Sequence, residues 1–392
     1  MICNERIREI FGSPSQPSMI LAPMVRAGTL PLRLLSLYFG AHTVFSEELI
    51  ARKLMECHRV ENSSLGTIDF IAKDSLVYRT CAFESGKNIL QIGAAHPIDA
   101  LKAATVVMKD VAGIDLNMGC PQHFSISGGM GAALLCKPGT ANEIIRTLRQ
   151  ELPSEISVSC KIRLLENEKS TIDLIKVLES AGVNAITIHA RRVSERPRDR
   201  ARWEELASIV ESASVPVVVN GDVFTFNDVD QIINLVPRAS GVMIARGAIA
   251  DTASAFSRNQ SLKTCSHMMD NYLALANLCD SHFANTKWFS SQVVRYRVEQ
   301  GHRGVDKINK PLLNSAIASS KTTQELLNAF NIEVPRLNRN DCWNKTEPVN
   351  SKEGWQAAIE KSLSVVSYQQ TPTFQSAEER SHAIKRIKSD VV

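Results

Sequence analysis

Eight short apolar runs of β-compatible residues recur along this 392-residue chain, and polar residues or glycine follow each of them. They cover residues 19–21, 43–46, 89–92, 111–118, 156–164, 185–188, 216–219 and 241–244, with helix-like segments between them. Near-continuous apolar strands separated by helices belong in a parallel sheet covered on both faces. Two α/β architectures meet that demand, a doubly wound open sheet and a (β/α)8 TIM barrel. An open sheet gathers its functional residues at one switch point. Here they recur at or just beyond the end of every run: Ala22-Pro23-Met24, Glu47-Glu48, Gln91, Cys120, Arg163, His189, Asn220-Gly221-Asp222 and Ala245-Arg246-Gly247. That recurrence predicts the barrel, with its site on the C-terminal lips of the strands. Two further β-like runs, 67–71 and 76–83, flank Lys73-Asp74 and predict an inserted hairpin.

Beyond residue 262 the β-type runs cease. Helical patterns over 268–278, 288–299, 312–318 and 323–330 predict a smaller all-α domain. The expected layout is an N-terminal segment 1–17, a catalytic barrel 18–262, a helical domain 263–332 and a polar tail 333–392. Within the tail, a helix is expected over 355–365 and a basic amphipathic end over 382–388, the whole loosely held. An apolar content of 44% with 22% charged residues is ordinary for a globular protein, and a formal charge of +4 permits a nucleic-acid partner without implying one. Nine scattered cysteines with no C-x-x-C pair argue against a disulfide framework and a zinc finger, and no H-x-x-x-H or carboxylate cluster suggests a metal. The first residues are charged and lack an apolar leader, and no run is long enough to span a bilayer, so a cytoplasmic protein is expected.

The stretch 114–135, IDLNMGCPQHFSISGGMGAALL, carries the strongest local signal. It runs from a strand end through Cys120 and Pro121 into a loop freed by Gly119, Gly128, Gly129 and Gly131. A lone cysteine is ordinarily a small buried hydrophobe. One that stands on a barrel lip before a proline and a glycine-rich loop has the setting of a functional group. On the fifth run, period-two alternation puts Ser159, Lys161 and Arg163 on one face. Two inward cations need a partner, either an ion pair or an anionic or electron-rich cofactor ring. The seventh and eighth lips are where such barrels commonly hold a phosphate, and Arg246 supplies a charge there. His189 and Gln91 remain open between structural and ligand-binding roles on the residues alone.

Six separated segments together resemble the flavin-dependent tRNA-dihydrouridine synthases, above all the eukaryotic dihydrouridine synthase 2 type. They are LAPMVRAGTLPLR (21–33), DLNMGCP with GGMGAALL (115–135), CKIR (160–163), IHAR (188–191), VNGD (219–222) and MIARG (243–247). The resemblance extends over residues 18 to about 330. It implies that Ala22, Pro23, Met24, Gln91, Lys161, His189, Asn220, Gly221, Asp222, Ala245 and Arg246 contact FMN. It further implies that Cys120 is the catalytic acid, that NADPH is the reductant and that the substrate is a D-loop uridine of tRNA, of the position 20 type. Expected substrate contacts are Asn117, Arg163, Arg198 within ERPRDRARW (195–203), and Lys287, Arg295 and Arg297, with Arg303, Lys307 and Lys310 interleaved with Trp288 and Tyr296. Animal members carry a double-stranded RNA-binding domain, and no recognisable one follows here, so the barrel rim, helical domain and basic tail are expected to hold the tRNA. A monomer is favoured. The rival readings are a dihydroorotate dehydrogenase-like or old-yellow-enzyme-like flavin barrel, a non-catalytic tRNA-binding protein, and a purely structural barrel.

Overall fold

Parallel pairing joins the eight runs into one closed ring. They form strands β1 (Gln16–Leu21), β2 (Thr43–Phe45), β3 (Asn88–Gly93), β4 (Gly113–Asn117), β5 (Ser157–Arg163), β6 (Ala185–His189), β7 (Val217–Asn220) and β8 (Gly241–Ile244). Each pairs with its neighbour in chain order, and β8 returns to β1 to close the barrel. The structure, a computed structural model, describes residues 4–258, 265–299, 310–329 and 350–364.

Strand alternation divides the barrel into an outer apolar face and a two-tier interior. Val158, Cys160 and Ile162 of β5 join the large outer cluster beneath the helices. In the lower interior, Ile20, Phe45, Ile89, Ala185, Val218 and Met243 form a second apolar cluster. The first helix, Asn4–Phe11, closes that end: Ile7, Ile10 and Phe11 pack into the cluster, and Thr43 Oγ1 donates to Ile10 O at 2.7 Å. The N-terminal segment is therefore the plug of the barrel floor. Above it the interior turns polar, with Gln91, Asp115, Asn117, Ser159, Thr187 and Asn220 all buried.

The predicted hairpin is present and larger than expected. Thr67–Ala72 and Ser75–Cys81 pair across Lys73 and Asp74, which both take positive φ (48° and 61°), the geometry of a tight hairpin turn. A third strand, His58–Asn62, pairs with the first of these. Its sequence, HRVEN, is too polar and too exposed to announce a strand. This insertion occupies the second crossover, where the helical segments are the short helix Ala51–Leu54 and the single turn Ala82–Glu84.

The four expected helices follow as Cys265–Leu278, Phe283–Glu299, Lys310–Ser319 and Thr323–Ala329. Tyr272 and Phe289 stack at 3.7 Å between the first two. Two expectations are corrected here. Arg297, expected on tRNA, is 1% exposed, and its Nη1 donates to Ala250 O at 2.8 Å, so it clamps the helices to the barrel. Lys287 directs its ammonium onto the carbonyls of Ala318 and Ser320 at 2.7 and 2.8 Å, capping a helix end. The expectation of a loosely held tail also fails over Lys352–Ser364. That helix buries Trp355, Ala358 and Ile359, and Trp355 Nε1 donates to Gly66 O at 2.9 Å. The 382–388 segment, Arg303 and Lys307 lie outside the described residues. Among the described residues no helix is long and apolar enough to cross a membrane.

Deleting a fully buried tryptophan leaves both a cavity and an unpaired carbonyl. Trp355→Ala is expected to destabilise the protein by about 3–5 kcal/mol. Urea unfolding followed by circular dichroism measures this, and an unchanged midpoint would show that the distal helix is not part of the folded core.

Candidate active site

The turn that carries Cys120 is built by the last residue of β4. Asn117 folds back so that its Oδ1 accepts the amides of Gly119 and Cys120, each at 2.9 Å. Its own amide is held in turn, since Asn117 Nδ2 donates to Gln91 Oε1 at 3.0 Å and Gln91 Nε2 donates to Asp115 Oδ2 at 2.8 Å. Ser159 Oγ donates to the other Asp115 oxygen at 2.6 Å. Sheet register makes this possible by setting Gln91 and Ser159 on either side of Asp115. Burial raises the Asp115 carboxyl to about 6, opposed by its hydrogen bonds and by Lys161.

The loop beyond Cys120 closes on it. Ala132 N donates to Cys120 O at 3.0 Å, and the short helix His123–Ser127 lies between. The return requires Gly131, which has φ +56° and comes so close that a Cβ there would sit 2.3 Å from Ser125 Oγ and 2.7 Å from Cys120 O. The thiol is half-buried, and burial followed by the negative charge of Glu48 pushes it up to about 11. It is a protonated thiol at neutral pH. Glu48 stands beside the thiol, a neighbour that sequence reasoning left without a role: Glu47-Glu48 stands out as a strand-end pair, but nothing local links it to Cys120.

Opposite Cys120 stands a group of cations. Register places Lys161 between Asn117 and Thr187, and Arg163 beside His189. Among the described residues no carboxylate forms an ion pair with Lys161. Burial and then Arg163 lower its ammonium to about 7. Arg163 spans two lips, donating to Gly119 O at 2.7 Å and Arg192 O at 3.1 Å. Burial, followed by Lys161, Arg163, Arg191 and Arg246, drives His189 well below its ordinary value, so its ring is neutral. Its Nε2 lies 3.2 Å from Arg191 Nη1.

The seventh and eighth lips meet as expected. Asp222, at φ +53°, accepts from Arg191 Nη2 and Arg246 Nη2, each at 2.5 Å, and from Ala201 N at 2.7 Å. It anchors both guanidiniums. Arg191, 3% exposed, joins the site although only its place in the IHAR segment marked it. Gly221, Ala245 and Arg246 line a cavity of about 110 Å³ with Arg196 and Phe224. Ala22 on the neighbouring lip donates its amide to Ile244 O at 2.9 Å, and Pro23 and Met24 follow it. The ERPRDRARW loop lies across this edge, tied by Trp203 Nε1 to Gly221 O at 2.7 Å, and it leaves Arg196, Arg198 and Arg200 exposed. Arg295 is exposed on its helix, its guanidinium 5.5 Å from the Tyr296 ring centre.

A lysine depressed this far affects stability in a definite direction. Between about pH 7 and its usual value near 10.4, the unfolded chain binds the proton that the folded chain has released, so stability rises with pH across that window. The cost of burying the charge is present in full below pH 7. Lys161→Met is therefore expected to raise the unfolding midpoint of the ligand-free protein more at pH 6 than at pH 10, measured by thermal denaturation at the two pH values. An equal shift at both would show that Lys161 does not titrate near neutrality.

Comparison with known proteins agrees with this arrangement. The family model described as "Dihydrouridine synthase (Dus)" matches residues 20–304. The tRNA-dihydrouridine(20) synthase [NAD(P)+] of Schizosaccharomyces pombe is 34% identical over 94% of this chain and 73% of its own length. The protein of the same name from Saccharomyces cerevisiae is 38% identical over 70% of this chain and 77% of its own. A human tRNA-dihydrouridine(20a/20b) synthase [NAD(P)+]-like protein is 30% identical over 64% and 75%. With a closed parallel barrel, a cysteine raised on the fourth lip and a family match over most of its length, the chain belongs to the dihydrouridine synthase family.

Proposed function

We propose that this protein reduces the 5,6 double bond of a D-loop uridine in tRNA, of the position 20 type, with NADPH as reductant and FMN in the barrel mouth. The observation that carries the reading is the pairing of a protonated thiol, Cys120, with a facing set of cations that includes Lys161, an ammonium without an ion-pair partner among the described residues. The residues fit the cofactor. Lys161 suits an electron-rich ring and Gly221, Ala245 and Arg246 suit a phosphate, with Asp222 orienting Arg246. Neutral His189 is a hydrogen-bonding neighbour that adds no charge. Ala22, Pro23, Met24, Gln91 and Asn220 complete the proposed contacts.

Adding hydrogen across C5 and C6 requires a hydride and a proton. FMN held by these residues would, once reduced by NADPH, supply the hydride for C6. Cys120 supplies the proton at C5, and its elevated pKa is what a donor needs. Asn117 fixes the turn that aims the thiol, and its place on the lip also suits it to the substrate base, as does that of Arg163. The target uracil must leave its stack to reach this depth, at a cost of roughly a few kcal/mol. Phosphate contacts offset it. Arg198 and its exposed neighbours Arg196 and Arg200 on the rim, with Arg295 on the helical side, are assigned to this role, so tRNA binding weakens steeply with salt. We take residues 18–262 as the catalytic unit and 263–332 as the tRNA-binding helical unit, acting in the cytoplasm.

Two variants test the reading. Arg246→Ala is expected to purify with little or no FMN, and full yellow occupancy would remove the assigned phosphate site. Cys120→Ala is expected to keep FMN and its reduction by NADPH while reoxidation by tRNA falls about 10²- to 10⁴-fold. Stopped-flow absorbance separates the two half-reactions. Reoxidation at the wild-type rate would refute the role of Cys120, and a colourless wild-type protein would favour a non-catalytic tRNA-binding function.

A further inference from the structure

The buried carboxylate of Glu48 has a place in the site that the reaction as described leaves unused. Glu48 is 7% exposed and reaches the space beside the Cys120 thiol from the lip of β2. Two features of the chain make room for it. Gly93, at the end of β3, has no side chain, and a Cβ there would lie 2.6 Å from Glu48 Oε1. Ser125, on the loop that closes over Cys120, donates its hydroxyl to the same oxygen at 3.0 Å. The other oxygen, Oε2, is buried without a hydrogen-bond partner in this geometry. An unpaired buried carboxylate oxygen costs free energy, and the Cys120 thiol is the donor that faces Glu48.

We infer that Glu48 is the positioning residue that holds the Cys120 thiol in its protonated form between turnovers and drives a proton back onto it after each one. The inference rests on the reading of Cys120 as proton donor. When Sγ–H gives its proton to C5, the electron pair of the S–H bond stays on sulfur, and a thiolate is left beside a carboxylate. Like charges in a poorly solvated site repel, so the thiolate takes a proton from solvent and the resting state returns. The other groups facing Cys120 act the opposite way or weakly. Lys161 and Arg163 on β5 favour the thiolate, as does the Gln122 amide, while the Ser125 hydroxyl proton is committed to Glu48 Oε1 and Arg163 is already bonded to two carbonyls. Asp115 faces Lys161 and Glu195 faces Arg163, so removing Glu48 shifts the balance at Cys120 toward the thiolate without leaving the cations unopposed. Burial raises the Glu48 pKa, while hydrogen bonds from the Cys120 thiol and the Ser125 hydroxyl oppose that rise, so the proton on sulfur stabilises the carboxylate as the carboxylate holds the proton on sulfur.

The test uses the whole FMN-loaded protein and reads the thiol directly. Iodoacetamide alkylates thiolates, and peptide mass spectrometry reports the Cys120 rate at each pH, with exposed Cys136 as the internal reference. Glu48→Gln keeps the shape and removes the charge, and is expected to raise the Cys120 alkylation rate at pH 8 about tenfold, equivalent to one pKa unit. Glu48→Asp is expected to stay close to wild type. Gly93→Ala leaves Glu48 in the chain but displaces its carboxylate, and is expected to shift Cys120 in the same direction as Glu48→Gln. In the tRNA half-reaction, Glu48→Gln is expected to lose rate with rising pH about one unit earlier than wild type, while reduction by NADPH is unaffected. Unchanged Cys120 profiles in both Glu48→Gln and Gly93→Ala overturn the inference. If Cys120→Ala reoxidises normally with tRNA, the donor role itself falls, whatever the alkylation profiles show.

Discussion

Everything at the mouth of this barrel depends on one continuous hydrogen-bond chain, Ser159 to Asp115 to Gln91 to Asn117 to the amides of Gly119 and Cys120. Its four side chains are buried, so none of them can exchange its partner for water, and each side-chain amide has one orientation that satisfies both neighbours. The chain crosses three strands and ends on the backbone of the reactive residue. Barrel register is thereby converted into the position of a single sulfur atom. A slip of one residue in β3, β4 or β5 would point these groups into the apolar outer layer.

The interior has two tiers for a related reason. A barrel of this size is filled by side chains. Here the lower tier is sealed by Ile10 and Phe11 from the first helix, which leaves the upper tier free to be polar. The polar tier carries charge of both signs at close quarters, with Glu48 beside Cys120 on one side and Lys161, Arg163, His189, Arg191 and Arg246 on the other. Asp222 keeps two of the arginines from repelling one another.

The eight strands were legible because each is apolar and each ends on polar residues, two signals that period and burial both produce. Cys120, Lys161, His189, Arg246 and the Asn220-Gly221-Asp222 lip could be singled out for the same reason: they follow strands. Glu48, Ser125 and Arg191 could not be given roles, because their partners are set by the pairing of distant strands and by a loop that turns back on itself. The strand His58–Asn62 was hidden by its polarity. Arg297 and Lys287 were misread because a cation in an amphipathic helix has the same appearance in sequence whether it meets phosphate or, as here, backbone carbonyls of its own protein. Arg297 is told apart by its burial and Lys287 by the carbonyls its ammonium reaches, and periodicity along these helices indicates neither.

The bond from Trp355 to Gly66 joins a helix near the end of the described chain to the insertion between β2 and β3. The contact spans 289 positions, so it cannot form while the chain is short. On a ribosome adding about 5–20 residues per second, the inserted sheet emerges early and waits on the order of tens of seconds for the helix whose Trp355 reaches the Gly66 carbonyl. For the first part of that interval, before β8 emerges, no complete barrel stands beside it either. The polar edge His58–Asn62, poor in the residues that favour pairing, is the side of the sheet that this waiting period leaves least adhesive.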